Sequence, residues 1–106
     1  MSSEAAATTV PKVALRALTE LTGEPRFEVA LRIALRDVVE HGLERIDAGI
    51  RGYEEAHGMG FEAFEERARE GDIPDQFSYE VESDYLQWDG LVSRKQRLET
   101  IRQWLM

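Results

Sequence analysis

The sequence of 106 residues contains no cysteine, only two lysines and two histidines, and no long apolar run. Without cysteine, a disulfide scaffold, a thiolate zinc site, an iron–sulfur cluster and a cysteine nucleophile are all excluded. No stretch approaches the roughly 20 apolar residues of a transmembrane helix. The first ten residues show neither the basic region nor the apolar core of a signal peptide. These absences predict a cytoplasmic protein.

Acidic residues outnumber basic ones by 21 to 13, which gives a formal net charge of −8. Eleven of the bases are arginine. Few lysines and an acid excess are typical of a halophilic composition, in which concentrated salt screens self-repulsion. A GC-rich genome that favours arginine codons is the alternative. The hydrophobic fraction of 42% argues against a wholly disordered chain.

Apolar residues recur mostly at intervals of three and four, which predicts an all-α fold. We expect a disordered tail over residues 1–10 and a single helical domain over residues 11–106. The domain begins with a short helix after Pro11 and continues with a long central helix from Pro25 to about His57. A short phenylalanine-rich helix follows, and a long C-terminal helix begins near Ser78 and lies along the central one.

The apolar stripe of the central helix is too long to be covered within a small monomer, so we expect a helical-bundle homodimer. Gly42 and Gly49 lie seven residues apart on the stripe, which favours close approach of another helix over a bend. Leu98 and Leu105 are further candidate contacts. The expected dimer interface consists of Leu31, Leu35, Val38, Gly42, Ile46 and Gly49.

An alternative fold begins with a strand over residues 12–17 and forms a ribbon-helix-helix dimer that binds DNA. The segment Val13-Ala14-Leu15-Arg16-Ala17-Leu18 does not alternate cleanly between apolar and polar residues. Its residues are mostly strong helix formers. The helical interpretation is therefore favoured.

No combination of residues predicts catalysis, a cofactor or a metal ion, so we expect a protein that is not an enzyme. Glu54 and His57 form the Glu-x-x-His spacing of di-iron helical bundles, but the chain lacks the second copy that such a site needs. A metal-binding helical-bundle enzyme that uses these two residues is the alternative function. The structural interpretation of His57 is an exposed polar helix end. His41, near Glu40 and Glu44, is interpreted as structural.

Negative charge is concentrated in the middle of the chain. Residues 53–89 carry a net charge of −10, while residues 90–106 carry +3. Between residues 61 and 88, six aromatic residues lie among these acids. We expect Phe61, Phe64, Tyr85 and Trp88 to fold back onto the central helix. For Phe77 and Tyr79, the pattern does not decide between folding back and docking on a partner.

This acidic segment predicts docking of a basic partner protein by charge complementarity, and a merely solvated surface is the alternative. The sequence contains no strongly basic block, so nucleic-acid binding is not expected. The candidate partner-binding residues are Phe77, Tyr79, Glu80, Glu82 and Asp84.

The same region resembles a group of small archaeal and bacterial helical proteins, some of them antitoxin-like. The likeness covers about residues 25–95 and rests on a Gly-Met helix end at Gly58, a Phe-Glu-x-Phe-Glu helix from Phe61, and a Tyr-Glu-Val-Glu helix from Tyr79. It implies an antitoxin-like interaction protein without a catalytic motif, whose partner is a small toxin-like protein. Gly90 departs from the pattern and leaves the continuity of the last helix open.

Overall fold

A computed structural model describes residues 9–106. This part of the chain is all-α, as the periodicity predicted, and it contains no strand. The ribbon-helix-helix alternative is wrong, because residues 13–17 are helical. Most of the expected tail, residues 1–8, lies outside the described residues. The four helices are α1 (Lys12–Thr22), α2 (Phe27–His57), α3 (Phe61–Arg69) and α4 (Tyr79–Trp104).

Glycine stops end the first two helices. Gly23 and Gly58 have φ angles of 73° and 70°, in the left-handed region that side chains disfavour. The N–H of Gly23 donates to the Thr19 carbonyl at 2.8 Å, and that of Gly58 donates to the Glu54 carbonyl at 2.7 Å. Each bond satisfies a carbonyl that would otherwise lack a partner at the helix end.

Ser78 caps the start of α4, as its residue type predicted. Its hydroxyl accepts a bond of 3.2 Å from the N–H of Val81, and its carbonyl accepts one of 3.0 Å from the N–H of Glu82. Acidic residues in the first turn and Arg102 in the last complement the helix dipole. The helix continues unbroken through Gly90.

The chain divides into two compact units. The first contains the described residues up to Val38, together with Leu105. It comprises α1 and the first part of α2, and Arg36 Nη2 donates to the Leu105 carbonyl at 3.1 Å. No residue of α1 is buried. Its expected apolar stripe is only partly covered, because Val13 and Leu21 are exposed.

The second unit, Val39–Trp104 with Met106, contains the rest of α2, the whole of α3 and α4, and the loop between them. Here the two long helices pack against each other as predicted, in antiparallel register. Four polar pairs show the register: Glu40 with Arg102 at 3.5 Å, Asp47 with Lys95 at 2.8 Å, Tyr53 with Gln87 at 2.9 Å, and His57 with Asp84 at 2.9 Å.

Two glycines bring these helices together. A Cβ atom placed on Gly42 would lie 3.1 Å from Leu98 Cδ1, and one on Gly49 would lie 2.9 Å from Leu91 Cδ1. Both distances are shorter than ordinary van der Waals contact. The glycines therefore serve close helix packing, as predicted, and α2 does not end or break at either of them.

The core of this unit is aromatic. Trp88 is fully buried, and rings of Tyr53, His57, Phe61 and Phe64 lie within 6 Å of it, measured between centroids. Ile73, from the loop after α3, is also buried in this cluster. The predicted fold-back of Phe61, Phe64, Tyr85 and Trp88 is confirmed.

Candidate partner-binding surface

The residues around the start of α4 leave a set of apolar side chains exposed. Phe77 and Tyr79 are each 80% exposed, and Leu86 is 68% exposed. Tyr79, Glu82 and Leu86 share one side of α4, because they are three and seven residues apart. Val81, Tyr85 and Trp88 occupy the opposite, core-facing side. We call Phe77, Tyr79, Glu82 and Leu86 the acidic aromatic face.

A groove of about 300 Å³ lies beside this face, between α3 and the start of α4. Its apolar surface comes from aromatic rings and short aliphatic side chains, and Phe77 stands at its edge. Glu65, Arg69, Gln76 and Glu82 supply its polar groups. The lining residues are Phe64, Glu65, Ala68, Arg69, Gln76, Phe77, Val81, Glu82 and Tyr85.

Two polar contacts fix the groove's walls. Tyr85 Oη donates to Glu65 Oε2 at 2.9 Å and joins α4 to α3. This hydrogen bond raises the pKa of Tyr85 above its usual value, and burial and the carboxylates of Glu65 and Asp89 add to the effect. Arg69 Nη1 donates to Glu66 Oε1 at 2.7 Å, so the groove's one cation already has a carboxylate partner.

Gln76 leaves one hydrogen-bonding atom in the groove wall without a partner. Its Nε2 donates to the Ala68 carbonyl at 2.9 Å, which fixes the orientation of the amide. The other atom, Oε1, is buried and accepts no hydrogen bond. A buried acceptor without a donor is unfavourable by about 1–3 kcal/mol, and such atoms are often found where a ligand or water binds.

The loop that carries Gln76 and Phe77 is held by backbone turns. Asp75 adopts a φ of 53°, which is uncommon for a residue with a side chain. The N–H of Gln76 donates to the Ile73 carbonyl at 3.1 Å, and that of Ser78 donates to the Asp75 carbonyl at 2.9 Å. Because Ile73, in the same loop, is buried in the core, Phe77 lies on the solvent-exposed side of the loop.

The predicted partner-binding residues do not all lie on the same surface. Glu80 and Glu82 are exposed, as are Phe77 and Tyr79. Asp84 differs, because its Oδ2 lies 2.9 Å from His57 Nε2. It stabilises the junction of α2 and α4 and is less available to a partner. Leu86 was missed by the sequence analysis, although its spacing from Tyr79 was the signal that could have found it.

His57 is not the exposed polar helix end that was expected. Its side chain is only 14% exposed, and its ring stacks on Trp88 with centroids 5.6 Å apart. Glu54, its partner in the Glu-x-x-His spacing, is half-buried. Over residues 9–106, no group of three or more metal-ligating side chains comes together.

The predicted dimer residues fall into two groups. Gly42 and Gly49 contact leucines of the same chain, and Ile46 is buried. Leu35 and Val38, in contrast, are exposed, and Leu31 is half-buried. In α2 the buried positions after residue 38 are Val39, Leu43 and Ile46, so the covered stripe is displaced from the one expected.

No protein-family model, curated protein or solved structure matches the chain. None of the helices described is both long enough and apolar enough to cross a membrane.

Proposed function

We propose that the protein is a non-catalytic interaction module that binds a basic segment of a partner protein through the acidic aromatic face. One observation carries the proposal: Phe77 and Tyr79 are each 80% exposed, and Phe77 lines a groove together with the acidic Glu82. Large aromatic side chains at a protein surface are typical anchors of binding interfaces. Neither ring belongs to the aromatic core around Trp88.

The surrounding charge favours a basic partner. Residues 53–89 carry a net charge of −10, and Glu80 and Glu82 are exposed next to the two aromatic anchors. Such charges steer an oppositely charged partner and reject acidic ones, while the apolar contacts supply most of the affinity. The resemblance to antitoxin-like proteins supports a small toxin-like protein as the partner. No observation favours the metal-dependent enzyme.

A defined helical peptide of leucine and lysine tests this proposal, with a leucine–glutamate peptide for comparison. We expect the basic peptide to bind and the acidic one not to bind. Replacing both Phe77 and Tyr79 with serine weakens binding of the basic peptide by about tenfold, because two interface anchors are lost. Fluorescence anisotropy of labelled peptides measures the affinities.

Trp104→Ser is the matched control, because Trp104 is 72% exposed and lies at the other end of α4. This variant keeps the affinity of the unmodified protein. If the double variant also keeps it, the attraction is general electrostatics and the acidic aromatic face is not the binding site.

We also propose that the chain forms the homodimer expected from the sequence, through the exposed part of α2. Leu35 and Val38 are three residues apart, and Val38 is 69% exposed. Apolar side chains at this spacing form one patch on a helix, which a second copy can cover. The patch lies on residues that the docking of a basic partner does not use.

A further inference from the structure

We infer that the groove between α3 and α4 receives an arginine side chain of the bound partner. This inference rests on the proposed function and names what the groove recognises. It combines three properties of the groove: its size, its apolar surface and its unpaired acceptors.

The size of the groove matches one long side chain. Its volume of about 300 Å³ is at the lower end of the range for small-molecule pockets. A helix about 10 Å across does not fit into such a space. A single side chain that projects from a partner lying on Phe77 and Tyr79 does fit, because Phe77 borders both the exposed face and the groove.

The apolar surface suits an aliphatic stem that ends in a flat cation. Ala68 and Val81 offer short aliphatic contacts, and the half-buried Tyr85 offers an aromatic ring. Arginine buries its methylene groups against such surfaces. Its guanidinium stacks on aromatic rings and is more weakly hydrated than the ammonium of lysine, so it loses less hydration on entry.

The polar groups of the groove are mainly acceptors. Glu82 has no ion-pair partner within residues 9–106, and Glu65 uses only one of its oxygens for Tyr85. Gln76 Oε1 also lacks a donor, but this atom is buried, so the two carboxylates are the acceptors open to a ligand. A guanidinium carries five N–H donors in a planar fork, enough to serve several acceptors. Arg69 also lines the groove, and its Nη1 lies 2.7 Å from Glu66 Oε1.

Acidic and neutral ligands fit less well. A carboxylate would meet Glu65 and Glu82, whose like charge repels it. A neutral apolar group would cover these carboxylates and desolvate them without compensation. The geometry thus selects a cation with several donors.

Titration with N-acetyl-arginine methylamide, followed by NMR, tests the inference. We expect the largest shifts at the side-chain amide of Gln76 and the rings of Tyr85 and Phe77. The citrulline analogue has the same shape without the charge, and we expect no binding. The lysine analogue binds more weakly than the arginine one.

Glu82→Gln and Glu62→Gln form a matched pair, because both residues are exposed acids in the first turn of a helix and only Glu82 lines the groove. We expect Glu82→Gln to weaken binding of the arginine probe by about tenfold, as for loss of a hydrogen bond to a charged group. Glu62→Gln changes it by less than about twofold.

Equal binding of the citrulline analogue would overturn the inference, and so would equal effects of the two glutamine variants. Equal binding of the lysine analogue would contradict selection of a guanidinium. The peptide of leucine and lysine contains no arginine, and the arginine probe has no extended surface for Phe77 and Tyr79 to hold. The two experiments therefore distinguish a lack of arginine binding in the groove from a lack of peptide binding at the acidic aromatic face.

Discussion

At the scale of single residues, the glycines inside the long helices have two different surroundings. Gly42 and Gly49 face leucine side chains of α4, whereas Gly52 and Gly90 have no atom within 4 Å of the position a Cβ would occupy. Glycine in a helix interior is less favourable than alanine by about 1 kcal/mol, because the unfolded chain loses more freedom on folding. Only Gly42 and Gly49 offset this loss of stability, because they allow α2 and α4 to pack closely.

Gly90→Ala is therefore expected to raise the free energy of unfolding by about 1 kcal/mol. Gly49→Ala has the same gain in helix propensity, but its methyl group would lie 2.9 Å from Leu91 Cδ1. That leucine must move, so the net gain is smaller than for Gly90→Ala. Urea unfolding followed by circular dichroism measures both values. An equal gain in the two variants would show that Gly49 is not needed for close packing.

At the scale of the helices, local pattern and long-range pairing are predictable to different degrees. The sequence predicted α2 from Pro25 to about His57, close to Phe27–His57, because spacing and glycine stops are local signals. It also predicted the Ser78 cap and the packing of the two long helices. It did not predict the register that joins His57 to Asp84, since periodicity carries no information on which residues face each other.

In the candidate site, too, contacts between residues far apart in the sequence were harder to predict than local structure. Phe77 and Tyr79 were named as candidate partner-binding residues, but whether they fold back onto the core was left open, because aromatic residues among acids are equally compatible with a core and with an interface. Gln76 gave no signal in the sequence: its amide is held by the carbonyl of Ala68, eight residues earlier, through the shape of the intervening loop. The burial of Ile73 in that loop likewise depends on tertiary packing.

The bond between Tyr85 and Glu65 couples α3 to α4 and predicts a dependence of stability on pH. The pKa of Tyr85 is raised in the folded state, chiefly because its hydroxyl donates to Glu65. The neutral hydroxyl is the donor, so this stabilisation is complete below the unfolded pKa of about 10. It is lost as pH rises through the higher folded pKa, since the unfolded state releases its proton more readily.

We expect the unmodified protein to lose stability as the pH rises above about 10, with a component that Tyr85→Phe lacks. Tyr79→Phe is the control, because Tyr79 is exposed and makes no such bond, and it retains the component. Urea unfolding at several pH values measures the slope, and absorbance at 295 nm follows tyrosine ionisation. If Tyr85→Phe shows the same slope as the unmodified protein, the coupling between α3 and α4 does not depend on this bond.

At the scale of the whole molecule, the strongly acidic segment and the exposed apolar pair Leu35 and Val38 lie on different parts of the chain. The −10 segment covers residues 53–89, which include the acidic aromatic face. The exposed residues Leu35 and Val38 precede it in α2, and residues 1–52 carry a net charge of only −1. Association through residues 53–89 would bring two strongly acidic segments together and meet like-charge repulsion.

This separation of charge leads to a test of the homodimer with two matched charge substitutions. Val38→Glu and Leu86→Glu place the same carboxylate at positions that are 69% and 68% exposed, so their effects on folding should be similar. We expect light scattering at micromolar concentration to give a dimer mass for the unmodified protein and for Leu86→Glu. Val38→Glu should give the monomer mass, because a carboxylate buried at an apolar interface lacks a partner. A monomer mass for the unmodified protein at low and high salt would contradict the dimer, and an effect of Leu86→Glu alone would move the interface to the acidic aromatic face.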